Sequence, residues 1–253
     1  MFQNKKVSVI IPCRNEEAAL YSMLQNIPSI VDEVIVVDNG STDNTAFIAT
    51  TLGAKVIKEK KQVDGVGYGF AHQTGMKHAK GDFIVALDGD NTYPIEKIPE
   101  ILAYMEKARV DFVSCARFPL SNTAAISKLR QLGVKILNLE ASLLFGYHMK
   151  DVLSGMWVMR KECVRKLNAK SGEWNFSPEI KLTALMHPEI RFSEYHISHS
   201  IRYNGVSKQQ IWKTGLNHMF YILELRTKYA KMHLPRLNVQ FSFYKAAWAK
   251  LTA

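Results

Sequence analysis

Cysteine is scarce in this chain of 253 residues. Cys13, Cys115 and Cys163 are odd in number, far apart and without metal-ligand spacing, which argues against a disulfide framework or a cysteine-held zinc. They read as reduced structural thiols of a cytosolic protein. No stretch approaches the ~20 apolar residues of a membrane span, and Met1-Phe2-Gln3-Asn4-Lys5-Lys6 is short and polar, unlike a secretory leader. The expectation is a protein that can touch a membrane without crossing it. There is no GxxxxGK[ST], which argues against a P-loop ATPase or kinase. Gly65-Val66-Gly67-Tyr68-Gly69 has neither the spacing nor the position of the dinucleotide fingerprint, so these glycines are read as allowing close backbone approach in a site loop. Repeats and low-complexity segments are missing as well. Acid is what the end of the chain lacks: from Arg202 onward nine Lys/Arg stand against one acid, Glu224, within a net charge of +10. Such asymmetry suits anionic partners: phosphates, nucleic acid or a membrane surface.

What is present is an alternation. With 47% hydrophobic residues, the chain can build one large domain or a domain with an appendage. Strands are expected at 7–12, 33–38, 54–58, 83–87 and 111–116, separated by helices at 16–26, 43–52, 68–79 and 95–107. Unbroken apolar runs such as Val34-Ile35-Val36-Val37 indicate strands covered on both faces. The pattern predicts a doubly wound α/β domain. Beyond Arg117 it loosens: a helix over 124–145, a strand over 155–160, a helix over 177–186 and a weakly alternating strand over 190–197. A boundary is expected near Asn204-Gly205, giving a domain over 1–205 and a basic, aromatic tail over 206–253.

The chemistry collects where strands stop. Phe83-Ile84-Val85-Ala86-Leu87 ends at Asp88-Gly89-Asp90, two carboxylates at a strand's carboxyl end, where open α/β sheets bind ligands. Such oxygen ligands suit Mg²⁺ or Mn²⁺ on a diphosphate, although Asp-Gly-Asp is also ordinary turn chemistry. The other strands end at Pro12-Cys13-Arg14-Asn15-Glu16, at Asp38-Asn39-Gly40-Ser41-Thr42-Asp43 and at Ala116-Arg117-Phe118. Asp38 can cap a helix, Glu16 can favour a helix start and Arg117 can be a solvated surface residue. Together, Glu16, Asp38, Asp88, Asp90 and Arg117 in one crevice form an inventory for a nucleoside diphosphate conjugate, with carboxylates for ribose, base or metal and an arginine fork for phosphate.

These residues carry a resemblance. The chain resembles a family 2 glycosyltransferase with the GT-A fold, most of all the branch of dolichol-phosphate mannosyltransferases and polyprenyl-phosphate glycosyltransferases. Val7-Ser8-Val9-Ile10-Ile11-Pro12 through Glu16 is similar to its first-strand motif, and Val36-Val37-Asp38-Asn39 through Asp43 to its nucleotide motif. Asp88-Gly89-Asp90 stands at its DxD, Asp151-Val152-Leu153-Ser154-Gly155 at an acceptor-side segment, and Arg202 through Ser207-Lys208 at its Arg…Gly-x-Ser-Lys ending. The likeness spans roughly the first 210 residues, in order. It implies a mixed sheet flanked by helices and inverting transfer of a hexose from a UDP- or GDP-sugar. By the resemblance Asp88 and Asp90 hold Mg²⁺ or Mn²⁺, while Pro12, Arg14, Glu16, Asp38, Asn39, Asp88 and Gly89 surround the nucleotide sugar. Asp90, Arg117, Asp151, Arg202 and Lys208 act at the reacting centre, with Arg117, Arg130, Ser207 and Lys208 at an acceptor phosphate. Four residues depart from the branch: Asn39 for a second Asp, Arg14 for a frequent Tyr, Thr92 for a frequent Gln, and Tyr68 within the glycine loop. They bear on base and sugar preference.

The acceptor follows from a missing base. A sugar hydroxyl needs a carboxylate to take its proton, whereas a lipid phosphate is already anionic and needs cations. The chain lacks the Glu-Asp pair and the Gln-x-x-Arg-Trp motif of hydroxyl-acceptor relatives, so a polyprenyl phosphate (dolichyl or undecaprenyl) is expected. The alternative is a saccharide or protein hydroxyl with Asp151 as base. The end of the chain suits the lipid: a helix over 211–232 places Trp212, Leu216, Met219, Phe220 and Leu223 on one broad face among Lys213, Arg226, Lys228 and Lys231. Phe241, Phe243, Tyr244 and Trp248 follow with Lys245 and Lys250. Such a face can lie peripherally on the cytoplasmic side of a membrane, or pack on its own domain, a second copy or a membrane subunit. Nucleic-acid binding by the basic tail is a lesser reading without a recognised motif, and a nucleotidyltransferase releasing pyrophosphate is a further rival.

Overall fold

The computed structural model describes residues 1–202 and 210–233, with side chains to residue 230. Seven strands, β1 (Val7–Cys13), β2 (Glu33–Asp38), β3 (Lys55–Lys58), β4 (Phe83–Ala86), β5 (Phe112–Ala116), β6 (Trp157–Arg160) and β7 (Phe192–His196), form one sheet in the order β3-β2-β1-β4-β6-β5-β7. Alternate residues of a strand face opposite sides, and both sides here are apolar. Val9 and Ile11 join one core with Val36, Val85, Leu20 and Ile101, whereas Ile10 joins the other with Ile35, Val37, Ile84, Phe112 and Phe176. The first core is covered by α1 (Glu17–Gln25) and α4 (Ile98–Ala108), the second by α3 (Tyr68–His78) and α7 (Phe176–Met186).

All expected strands are present, and the first five helices start and stop close to the spans read from the pattern. α2 (Thr45–Thr51) and α5 (Lys128–Phe145) complete that set, with a single 3₁₀ turn at Thr123–Ala125 where a longer helix was expected. The doubly wound, parallel reading needs a correction. β6 runs antiparallel to both β4 and β5, so the sheet is mixed, as the family resemblance implied. Residues 117–156, which include α5, return the chain to the edge of the sheet that β5 left, so β6 starts beside the ends of β4 and β5. The short α6 (Lys161–Lys166) was not anticipated.

The final helix, α8 (Ile211–His233), packs on the domain. Ile222, Leu225 and Tyr229 join Leu137, Ala141 and Phe145 of α5 and Leu182 and Leu185 of α7 in a third core. These positions recur at helical spacing on one side. Trp212, Leu216, Phe220 and Leu223 lie on the other side and are exposed, and only Met219 of the expected face is tucked against the core. α5 presents a matching exposed row, Leu129, Leu132, Ile136, Leu139 and Leu143. No helix among the described residues is long and apolar enough to cross a membrane. The aromatic segment from Phe241 to Lys250 lies outside the described residues.

Candidate active site

The carboxyl ends of β1, β2, β4 and β5 and the entry to β6 meet at one edge of the sheet. Antiparallel β6 begins where parallel β4 and β5 end: Ala86 and Ser114 both pair with Trp157. The loop before β6, residues 151–156, therefore lies between the loops that follow β4 and β5. Backbone proximity is close enough to require glycine. A Cβ on Gly155 would overlap the Asp88 carboxylate, and one on Gly89 would meet Cys13 Sγ at 2.5 Å.

The edge opens into a cavity of about 1260 Å³. Pro12, Arg14, Glu16, Asn39, Asp88, Gly89, Asp90, Arg117, Arg130 and Arg202 all line it, so the structure gathers most of the residues singled out in the sequence. Asp38 is at the edge but turned into its own loop, where Oδ1 accepts from Ser41 N at 2.9 Å. Asn39 is fixed by donating to the carbonyls of Glu59 (2.8 Å) and Lys61 (3.2 Å). Arg14 donates to the Gly65 carbonyl, which ties the glycine loop across the cavity. Ser207 and Lys208 lie outside the described residues.

The two carboxylates of the Asp-Gly-Asp turn are treated differently. Burial, and then the neighbouring Asp90, push Asp88 up to about 7; its Oδ1 accepts from the Tyr68 hydroxyl at 3.1 Å. Asp90 is held from two sides. Oδ1 accepts from Thr92 Oγ1 at 2.7 Å, and Oδ2 accepts from Arg202 Nη2 at 2.7 Å and Nε at 3.0 Å. Arg202 also reaches Glu16 Oε1 at 3.4 Å. Among the described residues no group of three or more His, Cys, Asp or Glu is gathered that could hold a metal by itself. Two carboxylates one residue apart at the cavity edge nevertheless fit a divalent cation that would complete its ligands with diphosphate oxygens.

Arg117 is anchored through one side of its guanidinium. Its Nε and Nη2 donate to Asp151 Oδ2 (2.6 Å) and Oδ1 (2.9 Å), and its backbone N donates to Oδ2 at 3.0 Å. Asp151 is 0% exposed, and although burial acts to raise it, the Arg117 charge and these bonds hold it below the usual carboxylate range. Arg130 sits near enough to Arg117 and Arg202 that, after burial, their charges lower its own affinity for a proton. Three guanidinium groups thus face one cavity. Part of its wall is apolar, formed by Leu129, Leu132 and Ile136 of α5 and by Ile211, Trp212 and Leu216 of α8.

Several residues escaped the sequence reading. Tyr93 accepts from Gly155 N at 2.5 Å, and His199 packs edge-on to Tyr93 with its rings 5.0 Å apart. Trp174 lines the cavity and lies 4.9 Å from the Tyr68 ring. Lys181 is completely buried under the 151–155 loop. Only Tyr68 carried a signal, as the bulky residue in a run of small ones.

The family model for glycosyl transferase family 2 matches residues 8–167. A dolichyl-phosphate hexose transferase of Haloferax volcanii is 31% identical over 188 residues, covering 73% of this chain and 77% of that protein. An undecaprenyl-phosphate 4-deoxy-4-formamido-L-arabinose transferase of Shewanella sediminis is 28% identical over 233 residues, 87% of this chain and 66% of that protein. This chain spans only half to about three-quarters of the length of the curated relatives it matches first. Among solved structures, glucosyl-3-phosphoglycerate synthase of Mycobacterium tuberculosis in complex with Mn²⁺, UDP-glucose and phosphoglyceric acid superposes with a TM-score of 0.66 at 20% identity, over 88% of this chain and 80% of that one. At that identity the likeness speaks for the GT-A fold.

Proposed function

The chain belongs to glycosyltransferase family 2, and on that premise we propose that it transfers a hexose, with inversion, from a UDP- or GDP-sugar to a polyprenyl phosphate at a membrane surface. The observation that carries this reading is the set of groups gathered in one cavity: paired carboxylates Asp88 and Asp90, arginines 117, 130 and 202, and the apolar walls of α5 and α8. That set matches a sugar diphosphate, a second phosphate and a hydrocarbon chain. The names of the relatives from H. volcanii and S. sediminis point the same way.

Asp88 and Asp90 would hold Mg²⁺ or Mn²⁺, which supplies neutralising charge to the departing diphosphate. Pro12, Arg14, Glu16 and Asn39 wall the nucleoside end, with Asp38 bracing their loop from behind. The acceptor phosphate oxygen attacks the anomeric carbon as the bond to the diphosphate breaks, and the bonding electrons leave with the nucleoside diphosphate. A phosphate monoester needs no base for that step. Arg117, Arg130 and Arg202, with Lys208, orient it and offset the repulsion between two phosphates. A hydroxyl acceptor is the weaker reading, because both oxygens of its candidate base, Asp151, are bound to Arg117 and none of its surface is exposed. The exposed apolar rows of α5 and α8 support docking on a bilayer, and Lys128, Lys135 and Lys213 on the same helices supply charge for anionic lipid.

The test is a panel of UDP- and GDP-sugars measured for binding with and without Mn²⁺, then for turnover with a short polyprenyl phosphate. Lipid-linked sugar and free nucleoside diphosphate are expected, with Asp90→Ala losing at least about 10²-fold in kcat, the scale of removing one element of charge stabilisation. Full activity in Asp90→Ala, or a product formed on a hydroxyl acceptor alone, would sink the proposal.

A further inference from the structure

The loop over residues 151–155 carries Asp151, which grips Arg117, and Gly155, which lies against Asp88. It belongs to no helix or strand, so its backbone groups need partners from elsewhere. Three of its N–H groups find them in side chains: Asp151 N donates to Glu194 Oε1 of β7 at 3.0 Å, Val152 N to Asn138 Oδ1 of α5 at 2.9 Å, and Gly155 N to Tyr93. Two of its carbonyls share one donor. Lys181, on α7 and 0% exposed, directs Nζ at Val152 O (3.0 Å) and at Ser154 O. The same nitrogen reaches Ser177 O at 3.1 Å and Ser177 Oγ at 2.8 Å, and Ser177 Oγ itself donates to Ser154 O at 3.1 Å. Four oxygens around one nitrogen can use every N–H of an ammonium.

A lysine is almost never placed wholly out of water without a partner. Burial pulls its pKa down to about 7, and the charge of Asp151 opposes that. A methionine or leucine would fill the same space under α7 at no such cost. What an apolar residue cannot do is draw two loop carbonyls inward and so fix the turn that aims Asp151 at Arg117 and brings Gly155 against Asp88. We propose that Lys181 is a positioning residue: it sets the 151–155 loop from beneath and, through Asp151, the pose of the Arg117 guanidinium toward the acceptor phosphate. This deepens the function proposed above and rests on it for the identity of the acceptor.

Lys181→Met removes the donors and keeps the length, and Lys181→Gln keeps two N–H groups without charge. Nucleoside diphosphate binding in the presence of Mn²⁺, followed by calorimetry, is expected to stay within about twofold, while kcat with polyprenyl phosphate falls about 100-fold in the Met variant, as for an ångström-scale misplacement. The Gln variant should recover part of that loss. In an Asp151→Asn background the same Lys181→Met change should cost less than about threefold, because residues acting through one another are not additive. Additive losses, or a Met variant that melts earlier but transfers at the wild-type rate, would overturn the inference. If the Met variant does not fold, the Gln variant and its Asp151→Asn double mutant are read by the same criteria. A crystal structure of either variant in which residues 151–155 and Arg117 stay within about 0.5 Å of their wild-type positions would overturn it whatever the acceptor proves to be. Absence of transfer by the wild-type protein would instead count against the function.

Discussion

Both ring nitrogens of His72 are buried without a hydrogen-bond partner in the described structure. The ring stacks on Phe176 at 5.4 Å and meets Tyr68 edge-on at 4.5 Å, behind the wall of the cavity. Burial, and secondarily Lys181, push its pKa down to about 3. A base depressed by folding contributes stability that is intact above its unfolded value near 6.5 and is lost as pH falls from there toward 3. Wild-type protein should therefore lose stability relative to His72→Phe by up to about 1.4 kcal/mol per pH unit between roughly pH 6 and 4; parallel denaturant curves across that range check it. Asp151 makes a second case. Asp151→Ala leaves the Arg117 charge with little exposure and no carboxylate, and is expected to cost about 3–5 kcal/mol in unfolding free energy. At this scale the sequence was half legible. Arg117 stood out as a strand-end cation facing phosphate, but that its fork is taken by a residue 34 positions later could not be read, because nothing local records which side chains meet across a sheet edge. Lys181 was hidden for the opposite reason: in Ser177-Pro178-Glu179-Ile180-Lys181 it looks like the polar face of an ordinary surface helix.

Helices 5 and 8 show what a one-dimensional pattern can and cannot say. The apolar face of α8 was read correctly as a face, but the chain has two such faces on that helix, and the stripe of Ile222, Leu225 and Tyr229 is the one that packs. Periodicity counts apolar positions without saying which neighbour covers them. The side left over, with Phe220 63% exposed and Leu139 of α5 61% exposed, is where a bilayer would be met. Leu139→Glu and Phe220→Glu should each weaken binding to anionic vesicles about tenfold, since about 1.4 kcal/mol of burial is worth that factor. Their melting temperatures should stay close to wild type, because neither side chain contributes to the core. Flotation with vesicles of defined composition, alongside thermal melts, measures both. The strands were legible because β1, β2 and β4 are buried on both faces and punctuated by polar loops. The direction of β6 was not, because a four-residue strand reads alike both ways.

For the molecule as a whole, occupancy of the cavity should be felt as stability. A nucleoside diphosphate with Mn²⁺, bound at 100 times its dissociation constant, adds about 2.7 kcal/mol. For a domain of this size that corresponds to a rise of about 5–10 °C in Tm. EDTA should abolish most of it, and Asp90→Ala should show little to abolish. An unchanged melting curve across UDP and GDP would remove the donor site itself. The reversed strand β6 has a consequence at the same scale. In the proposed function, everything that would grip the leaving nucleotide, bar one shared contact at Arg202, comes from the chain before residue 91, and everything that would receive the sugar comes after residue 116. Among the described residues the two inventories interlock where β6 is threaded backwards between β4 and β5, and where Arg202 reaches Asp90 and Glu16. If those roles hold, donor preference and acceptor preference would be written in consecutive blocks of one polypeptide, and a graft at the loop before β5 should exchange the second without rewriting the first.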